Sequence, residues 1–304
     1  MTPPSPAIRL TGVVKRFGDT TAVAGLTLEV PRGTCFGLLG PNGAGKSTTM
    51  RLLTGQAHPT QGTIEVLGLP VPAQAKQARA AMGVVPQQEW LEDQLTCREN
   101  VMVWATLLRV PRAQRPAAVA EALRIAHLSD RADDKIKTLS GGMKRRLLIA
   151  RSLVHDPELI LLDEPTVGLD PQIRQELWSL IDDLRNRGKT LLMSTHYIEE
   201  AERLADRVAI MNAGAVVAIG TPLELLTAHA GSEVMEYYGP VDRLAEVESR
   251  VAAAGLATRR NGPSVSVLRA EQLPTALLET LGDGHRRAAT LEDVFVLLTG
   301  AELE

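Results

Sequence analysis

Gly40-Pro41-Asn42-Gly43-Ala44-Gly45-Lys46-Ser47-Thr48 fits the template G-x-x-x-x-G-K-[ST]. Thr34-Cys35-Phe36-Gly37-Leu38-Leu39 precedes it, short and apolar enough for a buried strand. Thr48 to Thr54 follows and predicts the start of a helix. Glycines let the backbone curl so that successive N–H groups converge on an anion. A helix start adds unpaired N–H groups and a partial positive charge. In that setting Lys46 reaches the β- and γ-phosphates of a nucleotide, and the Ser47 hydroxyl coordinates Mg²⁺. The bland alternative is a glycine-rich turn that binds nothing. The strand–loop–helix context weighs against it.

The chain has 304 residues, which predicts about two domains, one with a substantial core. Lys and Arg number 33 against 36 Asp and Glu, a net charge of −3 with no long run of one sign. Bulk charge therefore offers nothing to nucleic acid. Cys35 and Cys97 are the only cysteines and lack metal-ligand spacing, so they form no disulfide framework. The start, Met1 to Pro6, has neither the charged nor the apolar segment of a secretory signal. No stretch approaches the ~18 apolar residues of a membrane helix. Work at a membrane would need something else to hold the chain there.

Along the chain, alternation predicts strands within residues 7–33 and at 61–68, a helix near 73–81 and a buried strand at 82–85. From about Glu89 to His155 helical periodicity dominates, which reads as a helical insertion. Strands return at 159–164 and 189–195, with helices at 173–187 and 199–205. A hairpin follows at 208–219. Alternating βα units make residues 1–225 an α/β domain with a mainly parallel central sheet. Residues 226–304 read as β-α-β-β-α-β with a final helix, including a helix over 271–281. That order is consistent with a small ferredoxin-like α+β domain.

Two further stretches carry chemistry. Leu159-Ile160-Leu161-Leu162-Asp163-Glu164 is an apolar strand ending in carboxylates. Ligands bind at that edge of open α/β sheets. Asp163 can hold Mg²⁺ directly or through water. Strand alternation turns Glu164 another way, where it can polarise an attacking water. Leu139-Ser140-Gly141-Gly142-Met143 opens a helix with Ser140 as N-cap. Its two glycines expose backbone N–H groups to a ligand. Alone, Asp163-Glu164 could be turn residues and Leu139–Met143 a capped helix start.

Together these elements resemble the ATP-binding subunits of ABC transporters. Gln87, after Val84-Val85-Pro86, matches the family's Q-loop glutamine. Gly168-Leu169-Asp170 matches its D-loop and His196 its switch histidine. Phe17 falls at the aromatic that stacks on adenine. The match covers residues 8 to 222. Glu233 to Gly239 and Thr290 to Phe295 resemble the subunits paired with drug-resistance, polysaccharide and nodulation-factor exporters, the last being the closest. Met143 stands where glutamine is commoner, and Phe17 replaces the usual tyrosine. A lone histidine after a strand is more often structural; the in-order match makes His196 functional.

The resemblance implies a P-loop ABC cassette with N-terminal antiparallel strands and a helical subdomain at about 89–155. It implies ATP and Mg²⁺ bound by Gly40, Pro41, Asn42, Gly43, Ala44, Gly45, Lys46, Ser47 and Thr48. Asp163 and Gln87 support the metal and the water, Glu164 is the general base, and His196 contacts the γ-phosphate. Ser140, Gly141 and Gly142 of a second copy complete the site, beside Asp170 of the D-loop. A separate transmembrane permease would dock on residues 88–96 and the helical insertion. That would hold the chain on the cytoplasmic face of the membrane, and no nucleic acid is implied. A soluble ABC-type ATPase acting on ribosomes or DNA usually carries two cassettes or a long coiled-coil insertion, and this chain has neither. A P-loop kinase or GTPase leaves Leu139–Met143 and His196 unexplained. A regulatory module without turnover has no use for Glu164.

Overall fold

A computed structural model of the chain describes residues 5–88 and 90–300. The reading of Met1 to Pro6 falls partly on residues 1–4, and the expected start of the insertion and part of its docking surface on Glu89. These residues lie outside the described ones. Contacts divide the chain into two units, residues 1–216 and 217–304.

In the first unit, β1 (Ile8–Phe17) and β2 (Thr20–Val30) lead into β3 (Cys35–Leu39), the glycine loop and α1 (Lys46–Leu53). Then come β4 (Gln61–Val66), β5 (Leu69–Val71), α2 (Ala75–Ala81) and β6 (Met82–Val85). The helical insertion holds α3 (Cys97–Leu107), α4 (Arg115–Ile125) and α5 (Gly141–Leu153). It is followed by β7 (Leu159–Asp163), α6 (Pro171–Asn186), β8 (Thr190–Thr195), α7 (Ile198–Leu204), β9 (Arg207–Asn212) and β10 (Ala215–Gly220), the strand in which the division between the units falls. One antiparallel sheet has the order β2-β1-β4-β5, and a second sheet the order β10-β9-β3-β8-β7-β6. From β9 to β6 the second sheet is parallel.

The apolar runs of β7 and β8 follow from burial on both faces of the sheet. Leu161 and Leu192 pack with the antiparallel sheet and α1, while Ile160, Leu162, Leu191 and Met193 pack against α6 and α7. The insertion has its own core, with Val101, Val119 and Leu123 around Leu147 and Ala150 of α5. Leu148 and Ile149 of the same helix pack on the sheet. Helix α5 thus belongs to both cores.

Three expectations shift. Helix α1 starts at Lys46 rather than near Thr48, because Gly45 at φ 97° turns the chain straight into it. Strand β5 was not among the expected strands, and it carries Pro70, which has no N–H to give to a ladder. It is tolerated because β5 lies on the sheet edge. Third, the helix expected from Glu271 begins at Thr275. Pro274 holds Leu273 extended, so Ala270–Gln272 forms only a short turn of its own.

The second unit contains a short helix, α8 (Pro222–Leu225), followed by β11 (Glu233–Tyr238), α9 (Val241–Ala253), β12 (Thr258–Asn261), β13 (Ser264–Leu268), α10 (Thr275–Leu281), β14 (His285–Ala288) and α11 (Leu291–Thr299). Its strands are antiparallel in the order β12-β13-β11-β14. Tyr237, Leu244, Val251 and Val267 fill its core. The buried carboxylate of Asp293 accepts from Arg287 at 2.7 and 2.8 Å.

Candidate nucleotide-binding and catalytic site

Strands β3, β8 and β7 are neighbours, with Leu39 level with Thr195 and Asp163 level with Ser194. The glycine loop, His196 and Glu164 each follow one of these strands. Parallel pairing therefore brings all three to one edge, although the Ser47 and Asp163 side chains that meet there are 116 residues apart in the chain.

The loop is shaped by its own chain. A Cβ on Gly45 would stand 2.5 Å from the Ala22 carbonyl oxygen, and Gly45 already needs its positive φ. A Cβ on Gly40 would stand 2.5 Å from the carbonyl oxygen of Met211. Ala44 is buried, while Asn42 and Gly43 are exposed and Pro41 is half-buried. Lys46 is buried and donates through Nζ to the carbonyls of Gly40 at 2.7 Å and Pro41 at 3.2 Å. The same Nζ pairs with Glu164 Oε1 at 3.2 Å. Burial of two charges demands such pairing.

Glu164 reaches Lys46 by a different route from strand alternation. Strand β7 ends at Asp163, and Glu164 takes a φ of 48°, uncommon outside glycine. Its N–H donates to Ser194 Oγ at 3.1 Å, and Ser194 Oγ donates to Asp163 Oδ1 at 2.5 Å. This turn sends the two carboxylates apart. Glu164 Oε2 lies 2.6 Å from His196 Nδ1. With Glu164 ionised, Nδ1–H donates, and contact between Nε2 and a phosphate oxygen then requires a proton on Nε2. Asp163 Oδ1 also accepts from Ser47 Oγ at 3.4 Å. Burial pushes the Asp163 carboxyl above its ordinary range, and its bonds to Ser194 and Ser47 partly offset this.

Among the described residues no group of three or more His, Cys, Asp or Glu could hold a metal. Mg²⁺ needs less from the protein: oxygen ligands from one or two carboxylates, with phosphates and waters completing the shell. The Ser47 hydroxyl and Asp163 carboxylate, side by side at the loop, fit that donor set.

The remaining expected residues stand apart from this group. Gln87 has an exposed side chain and joins through its carbonyl, which accepts from Arg145 Nη1 at 3.2 Å. Ser140 caps α5 as expected, accepting from the Met143 N–H at 3.3 Å. Gly141 is exposed and a Cβ there would meet nothing within 4 Å. Gly142 is glycine for a different reason: a Cβ would stand 2.3 Å from Ile173 Cγ2 on α6. Asp170 is exposed just before α6. Phe17 is 45% exposed, with Lys15 Nζ 4.6 Å from its ring centre. Thr48 is half-buried in the first turn of α1.

Sequence reasoning missed Ser194 and Arg145. Ser194 sits inside an apolar strand, and only the register of β8 against β7 reveals that it faces Asp163. Arg145 lies in a basic run, Lys144-Arg145-Arg146, that reads as a solvated helix face; it is 4% exposed.

A glycine loop, a lysine–glutamate–histidine chain and a second carboxylate at the ends of adjacent parallel strands define a P-loop ATPase. The family model described as ABC transporter matches residues 23–167. The chain is 45% identical over 295 residues to Nod factor export ATP-binding protein I of Burkholderia orbicola (strain AU 1054), spanning 96% of each chain. It is 43% identical over 304 residues to the protein of that name from Rhizobium meliloti, spanning 99% of this chain and 90% of that one. The structure of cbiO1 from Clostridium perfringens, part of the ABC transporter complex cbiONQ, matches 83% of this chain and 98% of its own at 27% identity and a TM-score of 0.69. A dimeric post-hydrolysis state of the ATP-binding cassette MJ0796, bound to ADP and Pi, matches 70% and 98% at 28% identity and a TM-score of 0.63. The chain belongs to the ABC transporter family, as an ATP-binding and ATP-hydrolysing cassette.

Proposed function

We propose that this chain powers an exporter of amphipathic molecules, of the class of lipid-linked saccharides or drugs, through a separate membrane permease. The observation that carries the chemistry is the buried pair Lys46–Glu164, joined to the half-buried His196, beside Asp163 and Ser47. In this reading Gly40 to Thr48 hold the phosphates of ATP, and Phe17 stacks on adenine. Ser47 and Asp163, with Gln87, hold Mg²⁺, which would neutralise charge on the β- and γ-phosphates. Glu164 takes the proton of the attacking water, and His196 contacts the γ-phosphate.

The ion pair adds a control. Lys46 stands 3.2 Å from Glu164 and also reaches the loop carbonyls. A phosphate in the loop competes for Lys46 and leaves Glu164 bonded to His196, free to act as base.

Ser140, Gly141 and Gly142 of a second copy cover the γ-phosphate, beside Asp170, so two ATP molecules are held between two copies. The exposed position of Ser140 and Gly141 supports this reading. Permease docking on residues 88–96 and the insertion is supported by exposed apolar groups there: Trp90 at 69%, Val103 at 45% and Leu107 at 65%. Among the described residues no helix is long and apolar enough to cross a membrane, so a permease is what would hold the chain on the inner face. Residues 226–304 act as an accessory, ferredoxin-like domain that regulates or stabilises the dimer. The β-α-β-β-α-β succession supports the ferredoxin-like part of that reading.

The direct test has two arms. Purified chain should release phosphate from ATP in the presence of Mg²⁺, and tagged chain should co-purify with a membrane permease. No phosphate release sinks the enzymatic reading, and recovery with a ribosome instead of a permease sinks the transport reading.

A further inference from the structure

Arg145 lies in the second turn of α5, close behind the Ser140–Gly142 turn. Its Nε donates to the carbonyl of Pro165 at 2.7 Å. Its Nη1 donates to Pro86 at 2.6 Å and Gln87 at 3.2 Å, and its Nη2 to Asp163 at 2.9 Å and Glu164 at 2.8 Å. A guanidinium carries five N–H donors in a rigid plane, and here they meet five main-chain carbonyls. Asp163 is the last residue of β7, and the other four carbonyls lie just beyond the ends of β6 and β7, where a buried carbonyl needs a donor. Lysine, with three donors on one nitrogen, cannot span them.

The bonds go to the backbone that aims the catalytic groups rather than to the groups themselves. Glu164 keeps its φ of 48° between two restraints, the Ser194 hydroxyl on its N–H and Arg145 on its carbonyl. Arg145 also joins Gln87 to that turn. At the other end, Ser140 caps the same helix, and Leu147 and Leu148 fix it in two cores.

We infer that Arg145 is a positioning residue, acting through Glu164, that locks the aim of the general base and the backbone of Gln87 to the Ser140–Gly142 turn of the same chain. This rests on the reading of Glu164 as base. A nucleotide held against Ser140–Gly142 by the second copy then acts on this chain's own Glu164 through one short rigid helix segment. The two ATP sites of the dimer are thereby linked through each copy's Arg145.

The test uses full-length Arg145→Gln and Arg145→Lys, with ATP binding, single-turnover hydrolysis and unfolding midpoint measured on each. Arg145→Gln is expected to bind ATP within about three-fold of wild type and to lose about 100-fold in turnover, the scale of a 1 Å misplacement. Arg145→Lys retains part of the donor set and falls between, by about 10-fold. It also serves if the glutamine variant does not fold. The deciding readout is the double variant Arg145→Gln/Glu164→Gln. A residue that acts mainly through Glu164 adds only the small loss carried by Gln87 once Glu164 is gone, whereas a merely structural one multiplies the losses in full. Wild-type turnover in the single variants, ATP binding that falls in step with turnover, or multiplying losses in the double variant overturns the inference. Absence of hydrolysis by the wild-type chain would instead overturn the underlying function.

Discussion

Two helices of the cassette open on glycine, and their starts are held in opposite ways. At α1, Gly40 and Gly45 are pressed against Met211 and Ala22 of their own chain, and Lys46 is tied to three oxygens around it. At α5, Ser140 and Gly141 are exposed, and a Cβ on Gly141 would meet nothing. The first turn needs its glycines for folding. Among the described residues nothing in the packing requires glycine at 141, so under the proposed function that requirement comes from a nucleotide on a second copy. Gly142, packed on Ile173, belongs with the first turn in this respect.

The largest expected effect removes the base from the built half. Glu164→Gln should bind ATP normally and turn it over about 10²–10⁴-fold more slowly, the range for a general base. Near-normal phosphate release from that variant would refute the assignment. The next test crosses the two halves. Ser140→Ala and Lys46→Ala copies, each inactive alone, should regain at most one working site per dimer when mixed. Full activity of pure Ser140→Ala would show that α5 does not act across copies.

A smaller contrast lies within one turn. Gly142→Ala should cost about 1–3 kcal/mol through its clash with Ile173. Gly141→Ala should change stability by less than about 1 kcal/mol and still depress turnover. Chemical denaturation beside phosphate release separates them, and equal stability losses would erase the distinction.

The glycine loop was legible because its chemistry is local: spacing, a preceding strand and a following helix lie within one short stretch. Asp163, Glu164 and His196 were legible as strand ends, but the reason Glu164 diverges from Asp163 was not. That reason is a left-handed turn held by Ser194, and it depends on which strand lies beside β7. Arg145 was illegible for the same kind of reason. Its five acceptors belong to two other strand ends, and its charge suggested solvent.

Glu200 also escaped notice, an acid in a helix with two others. It is fully buried, its carboxyl accepts from Thr166 Oγ1 at 3.0 Å, and burial pushes it up to about 7. The folded pKa lies above the unfolded one. Its favourable contribution is therefore present at low pH and is lost as pH rises through about 7. Glu200→Gln should raise the unfolding midpoint at about pH 8 and change it little at about pH 5. An equal shift at both pH values would show that Glu200 does not titrate in this way. This is the smallest of the expected effects, and it tests the ground behind the built half.

The difference between the two helix starts comes down to whether ATP joins two copies of this chain. Sedimentation of full-length Glu164→Gln, which should hold ATP without consuming it, measures this directly. With ATP and Mg²⁺ it should sediment as a dimer, and with ADP, or with Ser140→Ala added, as a monomer. A Glu164→Gln protein that binds ATP and stays monomeric at every concentration would contradict the shared site.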